Sequence, residues 1–259
     1  MLITYEDFKK EFLGLSKIDL SSYKESQMKR RIDNFISKNH CNGYDDFFQK
    51  IKKESDVYDR FITYLTINVS EFYRNPAQWH TLEKEVIPHL LKLSGRKIRI
   101  WSAACSTGDE PYTLAMVLSD FVPLSQVEII ATDLDKEVLS KAKKGLYSEK
   151  SVKGLPERYL KSFFKQDDCG LYQVSNSLKY CITFKEHNLL KDSYPTDVDL
   201  IVCRNVMIYF TEEAKDGIYK KFVRSLKKNG VLFVGSTEQI IGAERYGLDS
   251  FQSFFYKKV

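Results

Sequence analysis

Nowhere in its 259 residues does this chain carry an apolar run approaching the roughly 18 residues of a membrane span. Insertion into a bilayer is therefore not expected. The amino terminus, Met1-Leu2-Ile3-Thr4-Tyr5-Glu6-Asp7, lacks the basic region and apolar stretch of a secretory signal. The five cysteines, at 41, 105, 169, 181 and 203, are odd in number and form no C-x-x-C pair. They read as reduced cytoplasmic thiols, with neither a disulfide framework nor a metal site. No G-x-G-x-x-G occurs, so a nicotinamide dehydrogenase fits poorly. No Cys/His or Ser/His/Asp arrangement stands out, and there are no internal repeats or low-complexity tracts. A dominant charge is lacking too. Forty basic residues stand against 35 acidic ones, a net of +5, so a local basic patch says more than the total.

What is present divides the chain in two. Up to about residue 75 the apolar residues recur at helical spacing: Phe8 and Phe12, then Met28, Ile32 and Ile36, then Phe47, Phe48 and Ile51, then Phe61, Ile62 and Leu65. Thr4 with Asp7, and Ser22 with Glu25, resemble capping boxes. Four or five short helices are expected here, as an all-α N-terminal domain over residues 1–75. Asn75-Pro76 opens a linker helix, 76–95, in which Pro88 should force a kink or a split. From 96 to 259 strands and helices alternate, which predicts an α/β domain with a mostly parallel sheet. Its clearest strands are Ile98–Ala104, Val127–Thr132, Val198–Cys203 and Val231–Gly235, with an aromatic strand from Phe251 to Tyr256 at the end. Between about 145 and 187 the pattern changes. Leu171–Val174 and Tyr180–Phe184 read as short strands of a small β insertion.

The segment from Ile98 to Met116 is strand, small-residue loop and helix, the opening of a nucleotide-binding α/β unit. The next strand ends on Asp133, where such folds hold ribose hydroxyls. Asp109 and Glu110 occupy the loop in which a pyrophosphate binder carries glycines. That points away from phosphate and toward a cationic nucleoside, of which S-adenosylmethionine is the obvious candidate. Glu110 reads either as a ligand residue or as a first-turn acid complementing the helix dipole. Arg204 and Asn205 follow a buried strand, and a buried arginine demands an acid or a ligand nearby. Asn188 is a similar strand-end polar residue. His187 reads as a hydrogen-bonded or surface histidine. In Thr66–Arg74, polar Asn68, Ser70 and Arg74 interleave with apolar residues; Ser70 is either a helix N-cap or part of a site. Lys29, Arg30 and Arg31 form a basic cluster on one early helix, which is either a solvated face or an attraction for an acidic partner.

Taken in order, Thr66-Ile-Asn-Val-Ser-Glu-Phe-Tyr-Arg74, Trp101-Ser-Ala-Ala-Cys-Ser-Thr-Gly-Asp-Glu-Pro-Tyr112, Ala131-Thr-Asp133, His187-Asn-Leu-Leu190, Cys203-Arg-Asn-Val-Met-Ile-Tyr-Phe210 and Gly235-Ser-Thr-Glu238 resemble the CheR-type chemotaxis receptor glutamate methyltransferases. The resemblance spans nearly the whole chain. It implies a Rossmann-like class I methyltransferase domain with a small β insertion, behind an all-α domain that recognises receptors. It implies methyl transfer from S-adenosylmethionine to glutamate side chains on the cytoplasmic methylation helices of chemoreceptors, giving methyl esters, with S-adenosylhomocysteine as product and no metal. Carried over by motif, Asn68, Ser70, Arg74, Glu110, Asp133, Asn188, Leu189, Arg204 and Asn205 would touch the cofactor. Arg74 would orient the substrate carboxylate, and Tyr209 is a second group near the methyl. Lys29, Arg30 and Arg31 would face the receptor. Ser70 stands where the family often has Thr, and Asp109 where Glu is usual, which leaves open whether Asp109 shares the role of Glu110. The loop Lys165–Tyr172 carries a single glycine, Gly170, beside Asp167 and Asp168. That predicts no reliance on a peptide tethered to the receptor's C-terminus. The expected enzyme is cytoplasmic, is recruited to membrane-bound receptors and has no nucleic-acid partner. The rival readings are a methyltransferase acting on RNA and a catalytically silent cofactor-sensing adaptor.

Overall fold

The computed structural model describes residues 3–94 and 97–259. The expected boundary between linker helix and sheet domain, at 95/96, lies outside the described residues. The chain forms two compact units, residues 1–68 with 208–217, and residues 69–207 with 218–259.

The first unit is helical: α1 (Tyr5–Ser16), α2 (Glu25–Lys38), α3 (Tyr44–Lys53) and α4 (Ser55–Thr66), with a 3₁₀ turn at Leu20–Ser22. The Thr4–Asp7 capping box forms as expected, each side chain accepting the other's backbone N–H. The box expected at Ser22 and Glu25 does not form. Asp19 caps the 3₁₀ turn instead, and Tyr23 pairs with Phe210 as an isolated antiparallel bridge. The backbone before α2 is thus drawn into extended pairing, and Lys24 precedes the helix without a side-chain cap. Phe8, Phe12, Phe47 and Phe61 are fully buried, and Phe47 meets Phe61 edge-on at 4.8 Å. Such edge-on pairs add about 0.5–1.5 kcal/mol beyond area burial.

The second unit carries strands β1 (Ile98–Ser102), β2 (Val127–Asp133), β3 (Leu146–Tyr147), β4 (Phe164–Gln166), β5 (Tyr172–Val174), β6 (Ile182–Glu186), β7 (Val198–Cys203), β8 (Leu226–Val234), β9 (Leu248–Gln252) and β10 (Phe255–Lys258). Seven of them make one sheet in the order β6-β2-β1-β7-β8-β10-β9. It is parallel from β6 to β8 and antiparallel at β10 and β9. β7 is buried at every position, as a central parallel strand covered on both faces must be. This is the Rossmann-like α/β architecture expected from the alternating pattern.

Two expectations are corrected. The segment read as the insertion's last strand, Tyr180–Phe184, splits: Asn176–Tyr180 is helical, and β6 pairs with β2 at the edge of the large sheet. The small sheet is therefore β3-β5-β4 alone. The alternating pattern looked the same for both sheets, because an edge strand buries one face in either. The single aromatic strand expected at Phe251–Tyr256 is a hairpin of β9 and β10 turning at Phe254, whose φ is +70°.

Pro88 does interrupt its helix. Residues Leu82–Val86 widen into a π turn between helices Pro76–Thr81 and Ile87–Ser94. A proline ring would strike the carbonyl four residues back, and the wider turn relieves that clash. Leu82, Val86, Ile87 and Leu90 all remain buried.

Candidate cofactor site

The carboxyl ends of the parallel strands form the edge at which open α/β sheets hold ligands. The loop after β1 is drawn over this edge by its own backbone. Ala103 N–H donates to the Val202 carbonyl at 2.8 Å and Cys105 N–H to that of Thr132 at 2.9 Å. The loop ends at Gly108, with φ +92°, where an added Cβ would sit 2.9 Å from the Ala142 Cβ and 3.0 Å from the Tyr147 hydroxyl. Only glycine fits both the conformation and the space. Helix Asp109–Ser119 starts immediately after it.

Asp133 closes β2 and is 8% exposed. Its carboxylate accepts N–H bonds from Ser106 at 2.7 Å and Asp135 at 3.1 Å. Burial outweighs these bonds and raises its pKa to about 6. The Leu134 N–H is a third backbone donor to it, and a carboxylate, with about four lone-pair sites, can still accept a further one. The neighbouring strand end is tied to the same residue, because His187 N–H donates to the Asp133 carbonyl at 2.9 Å. Asn188 follows, and its side-chain oxygen accepts the Leu190 N–H at 2.9 Å. Leu189 is buried, its carbonyl taking the Tyr194 hydroxyl at 2.6 Å. His187 is buried against Trp101, and its Nε2 lies 3.2 Å from the Ser193 carbonyl. It is the hydrogen-bonded histidine of the plainer reading.

Glu110 and Arg204 form a buried pair, with 3.5 Å between Nη1 and Oε2 and the arginine side chain 3% exposed. The Ser102 hydroxyl donates to the other Glu110 oxygen at 2.7 Å. Burial pushes the Glu110 carboxyl up, against the pull of Arg204, and lowers the arginine's own pKa. The second guanidinium nitrogen, Nη2, donates to the Arg74 carbonyl at 2.9 Å, Asn75 Oδ1 at 3.1 Å and Gln78 Oε1 at 2.7 Å. The sequence argument that a buried arginine needs a partner is met by this set. Removing one member of such a buried pair typically costs about 3–5 kcal/mol. Arg74 itself folds back onto the Val69 carbonyl, 3.2 Å from its Nη1. Tyr73 and Asn75 on either side of it have φ of +55° and +62°.

Asp109 and Glu110, left undivided by the sequence, face different partners. Asp109 bonds with the Thr107 and Ser70 hydroxyls, and burial again raises its pKa. Ser70 is not an N-cap, since the next helix begins at Pro76.

The second unit thus brings Ser70, Arg74, Glu110, Asp133, Asn188, Leu189, Arg204 and Asn205 onto one sheet edge and its loops. Asn68 and Tyr209 belong to the first unit. There Asn68 Nδ2 donates to the Thr66 hydroxyl at 2.8 Å, and the Tyr209 carbonyl accepts the Lys24 N–H at 2.9 Å. The basic cluster on α2 is not uniform. Lys29 and Arg30 are exposed, whereas Arg31 donates to the Tyr64 carbonyl and stacks over its ring at 4.4 Å.

Sequence reasoning missed Gln78, Asn75 and Ser102. Each is an acceptor or donor required by the Arg204–Glu110 pair, and only Gln78, a polar residue on the buried face of an apolar helix, carried any signal. The site fits a cationic nucleoside. Asp109 and Asp133 are buried carboxylates without a guanidinium partner, while the largely buried Glu110 pairs with Arg204. Ser106 Oγ and Arg204 Nε are buried polar atoms with no partner among the described residues. Among those residues, no three His, Cys, Asp or Glu side chains gather as a metal would need, and no helix is long and apolar enough to cross a membrane.

Comparison with known proteins agrees with this geometry. Residues 3–66 match the all-alpha domain of CheR methyltransferases, and residues 68–252 match their SAM binding domain. The chain is 43% identical to a chemotaxis protein methyltransferase of Listeria monocytogenes, over 97% of this chain and 98% of that protein. It is 44% identical to one from Listeria innocua over the same shares. An Escherichia coli chemotaxis protein methyltransferase is 36% identical over 74% of this chain and 68% of its own length.

Proposed function

The chain belongs to the CheR methyltransferase family, and from that premise we propose that it esterifies glutamate side chains of chemoreceptors with the methyl group of S-adenosylmethionine. What supports the reading is the acid-rich sheet edge, which carries Asp133, Asp109 and the Glu110–Arg204 pair. Asp133 accepts from the ribose hydroxyls, for which its carboxylate keeps acceptor capacity. Glu110 and Asp109 suit the positive charge of the cofactor's ammonium and sulfonium. Arg204, Asn205, Asn188, Leu189, Ser70, Arg74 and Asn68 complete the binding set. The cofactor supplies a methyl group already activated on sulfonium.

A glutamate carboxylate has a pKa of about 4.3 in model peptides, so it is ionised at neutral pH and needs no general base. The protein's task is alignment, which can itself supply a large share of the rate. Arg74 is suited to orient the substrate carboxylate, since a guanidinium pairs bidentately with one. Its reach is set from behind, because its carbonyl is held by Arg204. Tyr209 is the second group assigned near the methyl. The basic face of α2 meets the receptor. A tethered receptor peptide is not required. In the β4–β5 turn Asp167 already accepts the Cys169 and Leu171 N–H groups, at 2.9 and 2.8 Å, while Asp168 is left exposed and would repel an acidic tether.

Incubation with radiolabelled S-adenosylmethionine and receptor-bearing membranes tests the reading. Label should enter the receptor band and leave it as methanol on mild alkali, as a carboxyl methyl ester does. Alkali-stable label, or label in RNA, would refute it.

A further inference from the structure

Glu238 is a buried carboxylate, 5% exposed, that the cofactor reading leaves without a task. Its Oε2 accepts the Asn205 N–H at 2.6 Å and the Gly235 N–H at 2.9 Å. These two amides follow the ends of adjacent parallel strands, β7 and β8, whose last residues pair as Cys203 and Val234. A single oxygen therefore clasps the tips of both strands at the ligand edge.

Three features show that this oxygen has a built place. The chain from Gly235 to Glu238 closes as a turn, with Glu238 N–H donating to the Gly235 carbonyl at 3.0 Å. Backbone and side chain of Glu238 thus bond Gly235 reciprocally, as in a capping box. Just beyond, the Ile240 N–H donates to the Tyr256 hydroxyl of β10 at 2.9 Å, so the returning segment is held from the other side. Finally, a Cβ built on Gly235 would collide with Glu238 Oε2 and stand 3.0 Å from the Asn205 nitrogen. Glycine is needed here because the glutamate oxygen fills the space a side chain would take.

What the clasp fixes is Asn205. This residue has φ of +60°, a left-handed conformation that asparagine tolerates and that must be over-determined by its surroundings to persist. Its turn directs the chain away immediately after Arg204. The Glu238 charge also acts on Arg204, opposing the burial that lowers the arginine's pKa.

We propose that Glu238 is a positioning residue for the cofactor site, holding the Arg204–Asn205 turn in its binding conformation through the Asn205 amide. The proposal rests on the reading of Arg204 and Asn205 as cofactor residues. Glu238→Asp keeps the charge but shortens the reach by one methylene, so the oxygen can no longer serve both amides. Gly235→Ala should act alike, by expelling the oxygen from the other side. Both should weaken S-adenosylhomocysteine binding about tenfold by calorimetry, the scale of one lost charge-assisted hydrogen bond. Glu238→Gln keeps an oxygen at the same reach and should recover most of the affinity. Hydrogen exchange of the ligand-free protein should show protection lost at the amides of Asn205 and Gly235 while the interiors of β7 and β8 stay protected.

Wild-type affinity in Glu238→Asp overturns the proposal. So does loss of protection spread along both strands, which would make Glu238 an ordinary support of the fold. Asn205→Ala separates the two readings. If it also binds normally, the cofactor assignment falls along with the proposal. If it binds weakly while Glu238→Asp does not, the proposal alone fails.

Discussion

Asp133 carries a consequence that can be read with a pH meter. Its carboxyl titrates near 6 rather than at its ordinary 3.8, because burial disfavours the charge. Between those values the folded protein holds a proton that the unfolded chain has released, so this group's contribution to stability falls as pH rises through the window. At neutral pH the fold therefore carries an ionised carboxylate at some cost, which donors from a ribose would offset. Under the proposed function, S-adenosylhomocysteine affinity should fall as pH drops below about 6, approaching tenfold per pH unit if this carboxyl is the linked group. Near pH 6, binding should release a proton. Asp133→Asn should weaken binding and abolish that dependence, since its amide group would face one of the backbone N–H donors already there. Calorimetry in buffers of differing ionisation heat measures both. Pairwise facts of this kind were only partly legible in the chain. The acid at the end of a strand was visible, and so was the need of Arg204 for a partner. The choice of Glu110, Gln78 and Asn75 was not, because they lie 94, 126 and 129 residues from Arg204 and no local pattern relates them to it.

At the level of elements, the loop between β1 and its helix depends on Gly108. Gly108→Ala would need a left-handed alanine with its Cβ against Ala142 and Tyr147, and neither neighbour is the loose end of a flexible chain. A destabilisation of about 1–3 kcal/mol is expected from the strained conformation, before any repacking. Urea unfolding should show it as a lower midpoint at unchanged slope. Elements with strong periodicity or a bounded apolar run were legible: the four helices of the first unit, β1, β2, β7, and the break at Pro88. Those that failed did so for definable reasons. β6 looked like part of the insertion because strand pairing partners are not written in a strand's own pattern. The hairpin of β9 and β10 was hidden because Gln252, Ser253 and Phe254 carry neither glycine nor proline to mark the turn. The Ser22–Glu25 box was a sound local signal defeated by a distant pairing with Phe210.

For the molecule as a whole, a net charge of +5 is too small to steer encounters, so the α2 face must do it if the receptor reading holds. Lys29→Glu with Arg30→Glu should raise the apparent KM for receptor and flatten its salt dependence, with cofactor affinity unchanged. Arg31→Glu should behave differently and lower the melting temperature, because Arg31 is bonded to Tyr64 within the first unit. An identical response from all three positions would count against this division. The order of strands also has a consequence for synthesis. β1 pairs with β7, Ile100 opposite Leu200, so one flank of β1 stays unsatisfied until about a hundred further residues have been translated. At about 5–20 residues per second the nascent chain spends several seconds with that apolar edge open. The helical unit likewise waits for residues 208–217. Ribosome-stalled chains ending before Val198 should therefore be clients of chaperones; the helical unit can close once residue 217 has been made, and the sheet unit only after β8 to β10 have followed.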